Sequence, residues 1–192
     1  MHRRSLLLIP AFALGLCAAV VHERSPEERL RSAVKDLQEH LDEAAVAMDA
    51  EAKAALRMAS GPDSARLWRK EDDLGKDDIR IRRGQELLIW TGHAPVTEAQ
   101  LGSSSVRHLD LPDGTYLHAF ATKGHLRADV LRRVWLGPPF ENRYLVRHFD
   151  DGFNVERGIM ADPGPGIGPA VHDARGKAML RLYWADGTAL PG

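Results

Sequence analysis

The apolar positions near the start of the chain form an unbroken run. Residues 5–21 carry no charge and follow His2-Arg3-Arg4. A run of this length is at the lower end of the ~17–25 residues that a tilted helix needs to cross the hydrocarbon core of a membrane. The preceding arginines favour a cytoplasmic N-terminus. The pattern therefore predicts a membrane anchor within 1–24, single-pass in the bacterial inner membrane, with the rest of the chain in the periplasm.

The same run also fits a cleavable signal peptide. The small residues Cys17-Ala18-Ala19 suit a cleavage site. The sequence leaves anchor and signal peptide as open alternatives, whereas Leu16 before Cys17 argues against lipid attachment. Since Cys17 is the only cysteine, a disulfide within the chain and a cysteine-based metal site are both excluded.

A heptad pattern then predicts a long stalk helix over 25–60. Ser25 suits the N-cap, Pro26 the first helical position, and Gly61-Pro62 the end of the helix. Apolar residues recur at alternating steps of four and three, at Leu30, Val34, Leu37, Leu41, Ala44, Met48 and Ala55. A stripe this narrow fits either the seam of a homodimer or a helix that packs along its own domain.

Beyond the helix, the period of the apolar residues changes to that of strands. Residues 86–91 predict a short buried strand with Trp90 in the core. Other segments with a strand pattern are 106–111, 115–121, 126–134, 170–173 and 178–184. Helices are predicted at 63–73 and 140–149, and connections at 75–83 and 162–169. This order predicts an α+β fold with a mostly antiparallel sheet over 61–192, of the PAS or Cache kind.

Charge and motifs narrow the function classes. Lys and Arg number 26 against 27 Asp and Glu, so the basic footprint expected of a nucleic-acid binder is missing. The histidines lack the i, i+4 spacing of a zinc protease, and the glycine-rich segment 164–168 lacks the lysine of a phosphate loop. We therefore predict no catalytic residue, no metal site and no cofactor, although Ser103-Ser104-Ser105 leaves a secreted hydrolase formally open.

A few aromatic residues and one arginine are candidates for binding a small ligand. Trp90, Tyr116 and Tyr144 could line a pocket in which Arg132 fixes a polar group. Packing in the core is the alternative for each aromatic residue.

Three segments carry a resemblance to a known family. Leu87-Leu88-Ile89-Trp90, Asp113-Gly114-Thr115-Tyr116 and the stretch from Glu141-Asn142 to Phe153 follow one another in the order seen in the extracytoplasmic input region of certain membrane-bound bacterial sensor histidine kinases. Thr115 and Trp135 stand where that family has tryptophan and tyrosine. The resemblance implies a sensor domain of a two-component signal-transduction system, present here without the kinase part and therefore not itself an enzyme.

The sequence thus predicts a periplasmic input domain that binds a small ligand or an envelope protein. Its other expected partners are a second copy of the chain, through the stalk helix, and the lipid bilayer, through residues 5–21. A free periplasmic binding or interaction protein released by signal cleavage is the alternative, followed by the secreted hydrolase.

Overall fold

The computed structural model describes residues 24–61, 77–102, 107–140, 142–143 and 146–185. They form an α+β fold in which one long helix, α1 (Pro26–Ala59), precedes all of the strands. The strands are β1 (Asp78–Arg83), β2 (Glu86–Trp90), β3 (Arg107–Leu111), β4 (Gly114–Lys123), β5 (Leu126–Leu136), β6 (His148–Phe149), β7 (Ile159–Asp162), β8 (Ala170–His172) and β9 (Ala178–Trp184). Within these ranges no helix has both the length and the apolar content to cross a membrane. The predicted anchor at 5–21 and the predicted helix at 63–73 lie outside the described residues.

Two antiparallel sheets lie behind α1. The main sheet has the order β2-β1-β5-β4-β3, and β6 pairs with the far end of β5. The smaller sheet has the order β7-β9-β8. Because β5 pairs with β1, β4 and β6, it is the central strand to which the main sheet is tied.

The N-terminus of α1 is fixed by a capping box. The Ser25 hydroxyl accepts a hydrogen bond from the Glu28 backbone N–H at 3.2 Å, and the Glu28 carboxylate accepts one from the Ser25 N–H at 2.9 Å. This arrangement satisfies two donors that a helix start otherwise leaves unpaired. The helix begins and ends where the sequence predicts.

The heptad stripe of α1 packs on the sheets of its own chain. Leu30, Leu37, Leu41 and Met48 are buried in one core with residues of β4, β5 and β9. The side chain of Gln38 also exchanges two hydrogen bonds with the backbone of His172 in β8, at 3.0 and 2.8 Å. The stripe is therefore the contact of α1 with its own domain, one of the two alternatives that the sequence left open. Dimerisation itself stays a prediction, and it would need another surface.

Two predicted elements are wrong in type. The connection predicted at 75–83 contains β1, in which Ile79 and Ile81 point into the core while arginines occupy the other face. The helix predicted at 140–149 is instead irregular in its described part, and it ends in β6. Phe149 joins the sheet because its ring packs edge-on against Trp135, with 4.7 Å between centroids. Strand β7 was not predicted at all.

Candidate functional site

A cavity of about 570 Å³ opens between the middle of α1 and one end of the main sheet. Its walls come from α1, the start of β1, the residues after β2, the turn before β4, the bulged part of β5, and the single turn of 3-10 helix at Asp151–Phe153. A volume of this size is typical of sites for small organic ligands. We take this cavity as the candidate binding site.

The cavity brings together two of the four predicted ligand-binding residues. Tyr116 and Arg132 both line it, on adjacent strands. Tyr144 lies outside the described residues. Trp90 does not line the cavity.

Trp90 is also not a core residue, which corrects the prediction of burial. Its side chain is 52% exposed on the edge strand β2, and the Arg80 guanidinium lies 5.4 Å from the ring centroid. Arg80 is held in place by donating hydrogen bonds to the backbone carbonyls of Ala94 and Val96, at 2.7 and 2.9 Å. Side chains of an edge strand are partly open to solvent. Here the Arg80 guanidinium covers the Trp90 ring, which the hydrophobic core does not.

Arg132 is paired with a carboxylate at the cavity wall. Its Nε and Nη2 atoms donate to the two oxygens of Asp77 at 2.7 and 2.5 Å, a bidentate geometry. Asp77 is buried, and its hydrogen bond to Arg132 raises the pKa of the guanidinium. Arg132 therefore uses two of its five N–H groups to bind a carboxylate of the protein.

The same carboxylate connects the cavity to α1 through Glu51. Burial, together with a hydrogen bond to Asp77 and the charge of Asp77, raises the pKa of Glu51 to about 7, although the nearby charge of Arg132 acts in the opposite direction. A glutamic acid that keeps its proton can donate to the Asp77 carboxylate, whereas an ionised one would repel it. The three side chains therefore form a hydrogen-bonded network, Glu51–Asp77–Arg132, that runs from α1 to the main sheet.

The Glu51–Asp77–Arg132 network predicts a contribution to the free energy of unfolding that depends on pH. The folded state holds the Glu51 proton at pH values where the unfolded chain, with an ordinary pKa of 4.5, has released it. The contribution is therefore fully present below about pH 4.5 and is lost as pH rises to about 7. We expect Glu51→Gln to remove this decline, so that between those pH values wild type loses about 1–2 kcal/mol relative to the variant, after allowance for solvent screening. Urea unfolding across this pH range measures the difference.

Glu39→Gln is the matched control for Glu51→Gln. Glu39 is an exposed glutamate of α1 that lies 3.7 Å from Lys35. Its replacement should leave the pH dependence of wild type unchanged. Parallel curves for wild type and Glu51→Gln would mean that Glu51 does not hold a proton in the folded state.

Tyr116 and Asp113 form a second polar pair in the cavity. The Tyr116 hydroxyl donates to Oδ2 of Asp113 at 2.7 Å. Burial, followed by the hydrogen bond and charge of Asp113, raises the pKa of Tyr116 well above its usual value. The other carboxylate oxygen, Oδ1, is buried and has no hydrogen-bond partner among the described residues.

Asp78 is oriented by the backbone that follows β2. Its Oδ2 atom accepts hydrogen bonds from the N–H groups of His93 and Ala94, at 3.1 and 2.5 Å. Burial nevertheless raises the pKa of Asp78, because these hydrogen bonds offset the burial only in part. Gly92 makes the turn possible at φ +82°, since a Cβ atom there would lie 1.4 Å from Oδ1 of Asp78.

Arg133 and Asp150 close the side of the cavity near β6. Their closest approach is 3.5 Å, between Arg133 Nη2 and Asp150 Oδ2. The buried Nε atom of Arg133 has no hydrogen-bond partner within the described ranges. This is a looser pairing than that of Arg132 with Asp77.

The cavity carboxylates were missed at the level of sequence. Asp77, Asp78, Asp113 and Asp150 are separated by up to 73 positions and sit at strand ends or turns, where aspartate is common for local reasons. In the described part of the chain, no three His, Asp or Glu side chains are grouped so that they could hold a metal ion.

Comparisons with known proteins add no relative. A scan against protein-family models, a search of curated proteins and a search of solved structures each find no match to this chain.

Proposed function

We propose that this protein is the ligand-binding input domain of an extracytoplasmic sensor, with a fold of the PAS or Cache kind. The observation that carries the proposal is the position of the cavity against the middle of α1. His40, Glu43 and Ala47 of the helix contribute to its wall. A ligand in the cavity would therefore contact the same helix that leads back to the apolar run at 5–21.

The helix is suited to carrying a signal. At 1.5 Å per residue, its 34 residues form a rod about 51 Å long. Its contacts with the sheets extend from Leu30 near one end to Ala59 at the other. A ligand that favours one position of α1 over another shifts the population between those positions, by an amount set by its differential affinity.

Hydrogen bonds beside the cavity provide a route by which a ligand could shift the position of α1. Glu51 of α1 is hydrogen-bonded to Asp77, which also binds Arg132 of β5. A ligand that displaces Arg132 or Asp77 would change the protonation and position of Glu51. The resemblance to sensor histidine kinase input regions supports the same function, and two of the segments that carry it, 113–116 and 141–153, contribute residues to the cavity wall.

Ligand binding in the cavity can be tested by blocking it. We expect Ala47→Trp, at a solvent-exposed position of the cavity wall, to fill the opening without disturbing the core. Compounds that raise the melting temperature of the full-length protein in detergent should have little effect on this variant. A ligand at 100 times its Kd stabilises the folded state by about 2.7 kcal/mol, a shift that thermal unfolding resolves.

Val46→Trp is the matched control. Val46 is the neighbouring residue of α1, is 73% exposed, and does not line the cavity. It should leave the ligand effect intact. Equal loss of the effect in both variants, or no stabilisation of wild type by any compound in a broad small-molecule library, would overturn the proposal.

The alternative function is that of a free periplasmic binding protein. It would use the same cavity and differ in the fate of residues 1–24. The mass of the protein recovered from cells separates the two, because cleavage near Ala19 removes the apolar run.

A further inference from the structure

The charge of the candidate cavity is unbalanced. Five carboxylates line it, at Glu43, Asp77, Asp78, Asp113 and Asp150, against two guanidinium groups, at Arg132 and Arg133. Acidic side chains in the wall therefore outnumber basic ones, even when the two lining histidines are counted as basic. A surface of this kind attracts cations and repels anions of similar size.

Each positive group in the wall already lies beside a carboxylate of the protein. Arg132 is bound by Asp77 in bidentate fashion, at 2.7 and 2.5 Å. Arg133 approaches Asp150 at 3.5 Å, and its buried Nε atom has no hydrogen-bond partner among the described residues. An anionic ligand would have to compete with these carboxylates for the same guanidinium groups.

Asp113, by contrast, has no direct ion pair among the described residues. Its Oδ2 atom accepts a hydrogen bond from the neutral hydroxyl of Tyr116. Its Oδ1 atom is buried with no hydrogen-bond partner in the described part of the chain. A buried carboxylate oxygen without a donor is costly, and a charged donor would relieve that cost.

The rest of the wall suits an organic body more than a bare ion. Ala44, Ala94, Leu131 and Phe153 supply apolar surface in the same cavity, whose volume of about 570 Å³ exceeds the needs of a single hydrated ion.

We infer that the ligand of this cavity is a small organic cation, a protonated amine on a partly apolar body, whose ammonium group binds Asp113. The inference rests on the proposed function and specifies its ligand class. Asp113 supplies the charged acceptor, and Tyr116 holds the carboxylate in position. Asp78 adds a second negative charge whose orientation is fixed by the backbone of His93 and Ala94.

A matched series of probes tests the charge preference. Benzylamine, benzyl alcohol and benzoate have nearly the same shape and differ in charge. In calorimetric titrations of the full-length protein in detergent, we expect benzylamine to bind about tenfold or more tightly than either of the others. Methylammonium and 1,4-diaminobutane extend the cationic arm to probes without an aromatic ring.

Asp113→Asn tests the assigned residue. The amide keeps the shape and the Tyr116 contact but loses the charge, so the affinity for benzylamine should fall about tenfold while that for benzyl alcohol stays within about twofold. Asp162→Asn is the control, because Asp162 is exposed in the smaller sheet and its contact with the Gly164 N–H survives the change. Thermal unfolding of both variants confirms that they are folded.

The outcomes separate the two proposals. Binding of benzoate or other anions at least as tightly as benzylamine, abolished by Ala47→Trp, would keep the ligand site and overturn its cationic character. Failure of all three cationic probes to bind at millimolar concentration would also overturn the inference. An equal loss of benzylamine affinity in Asp113→Asn and Asp162→Asn would mean that Asp113 is not the binding group. Failure of every probe and of the broader library would remove the proposed function as well.

Discussion

Replacing Trp135 by alanine is expected to lower the free energy of unfolding by about 3–5 kcal/mol. Trp135 lies in the central strand β5 and is only 2% exposed. Its ring packs edge-on against Phe149 of β6 at a centroid distance of 4.7 Å and a plane angle of 61°. Truncation removes this contact, leaves a cavity in the core, and weakens the pairing of β6, which consists of only two residues. Denaturant unfolding followed by circular dichroism measures the loss.

Trp90→Ala is the matched control within the same sheet. The Trp90 ring is half exposed, and the Arg80 guanidinium lies 5.4 Å from its centroid. The expected loss is below about 1 kcal/mol, since an exposed cation–π contact contributes about 0.5–1 kcal/mol. Similar losses for the two tryptophans would mean that β2 is placed wrongly or that Trp135 is less buried than the structure shows.

The two tryptophans also show what the sequence could and could not predict about the core. A strand at 86–90 follows from its run of apolar residues, but the face that each side chain presents depends on where the strand lies in the sheet. At an edge, β2 buries Ile89 and leaves Trp90 and Leu87 half exposed. Position in the sheet is set by pairing with β1, which the sequence did not reveal as a strand.

Local signals explain the elements that were predicted correctly. The capping residues and the heptad stripe of α1 lie within one segment, and the hairpins β3–β4 and β8–β9 are closed by short turns. β1 carries a weaker signal, because Ile79 and Ile81 alternate with arginine over only four residues. Its pairing with β5, where Ile79 lies opposite Val130, joins positions 51 apart in the sequence.

Only part of the candidate site could be predicted, because its residues are brought together by contacts between distant parts of the sequence. Tyr116 and Arg132 stood out by residue type, and the sheet places them in one cavity. The helix face that completes the cavity, including His40 and Ala47, belongs to an element whose orientation the sequence does not encode locally. The stripe was compatible with a dimer seam as well as with intrachain packing, because both bury one narrow apolar face.

The second large expected effect concerns a network of buried charged residues on the face of the main sheet that points away from α1. Asp129 of β5 is fully buried, as is His118 of β4, whose Nε2 atom lies 2.8 Å from Asp129 Oδ1. Arg127 donates to both Asp129 oxygens at 2.6–3.0 Å, and Arg82 approaches at 3.4 Å. Arg127 also donates to the carbonyls of Leu101 and Gly102, which ties the segment after β2 to the sheet.

Burial alone would raise the pKa of Asp129, but the hydrogen bonds from His118 and Arg127 and the charge of Arg127 outweigh it and hold that pKa below its usual value. A lowered pKa means that the carboxylate stabilises the folded state above the pH at which the unfolded chain ionises, about 4. That contribution is lost as pH falls through the lower pKa of the folded state. Acid unfolding of wild type should therefore begin as this network is protonated.

Asp129→Ala is expected to cost about 3–5 kcal/mol near neutral pH, because it leaves the partly buried Arg127 and Arg82 without their shared counter-charge and His118 without its hydrogen bond. Asp129→Asn keeps an acceptor oxygen and should cost less, while also flattening the decline of stability below about pH 4. The control is Asp49→Ala, which removes an exposed ion pair with Lys53 on α1 and should cost less than about 0.5 kcal/mol. Urea unfolding of the three variants between pH 3 and 7 measures both effects. A loss for Asp129→Ala as small as that for Asp49→Ala would show that solvent reaches Asp129 and that the network contributes little to the fold.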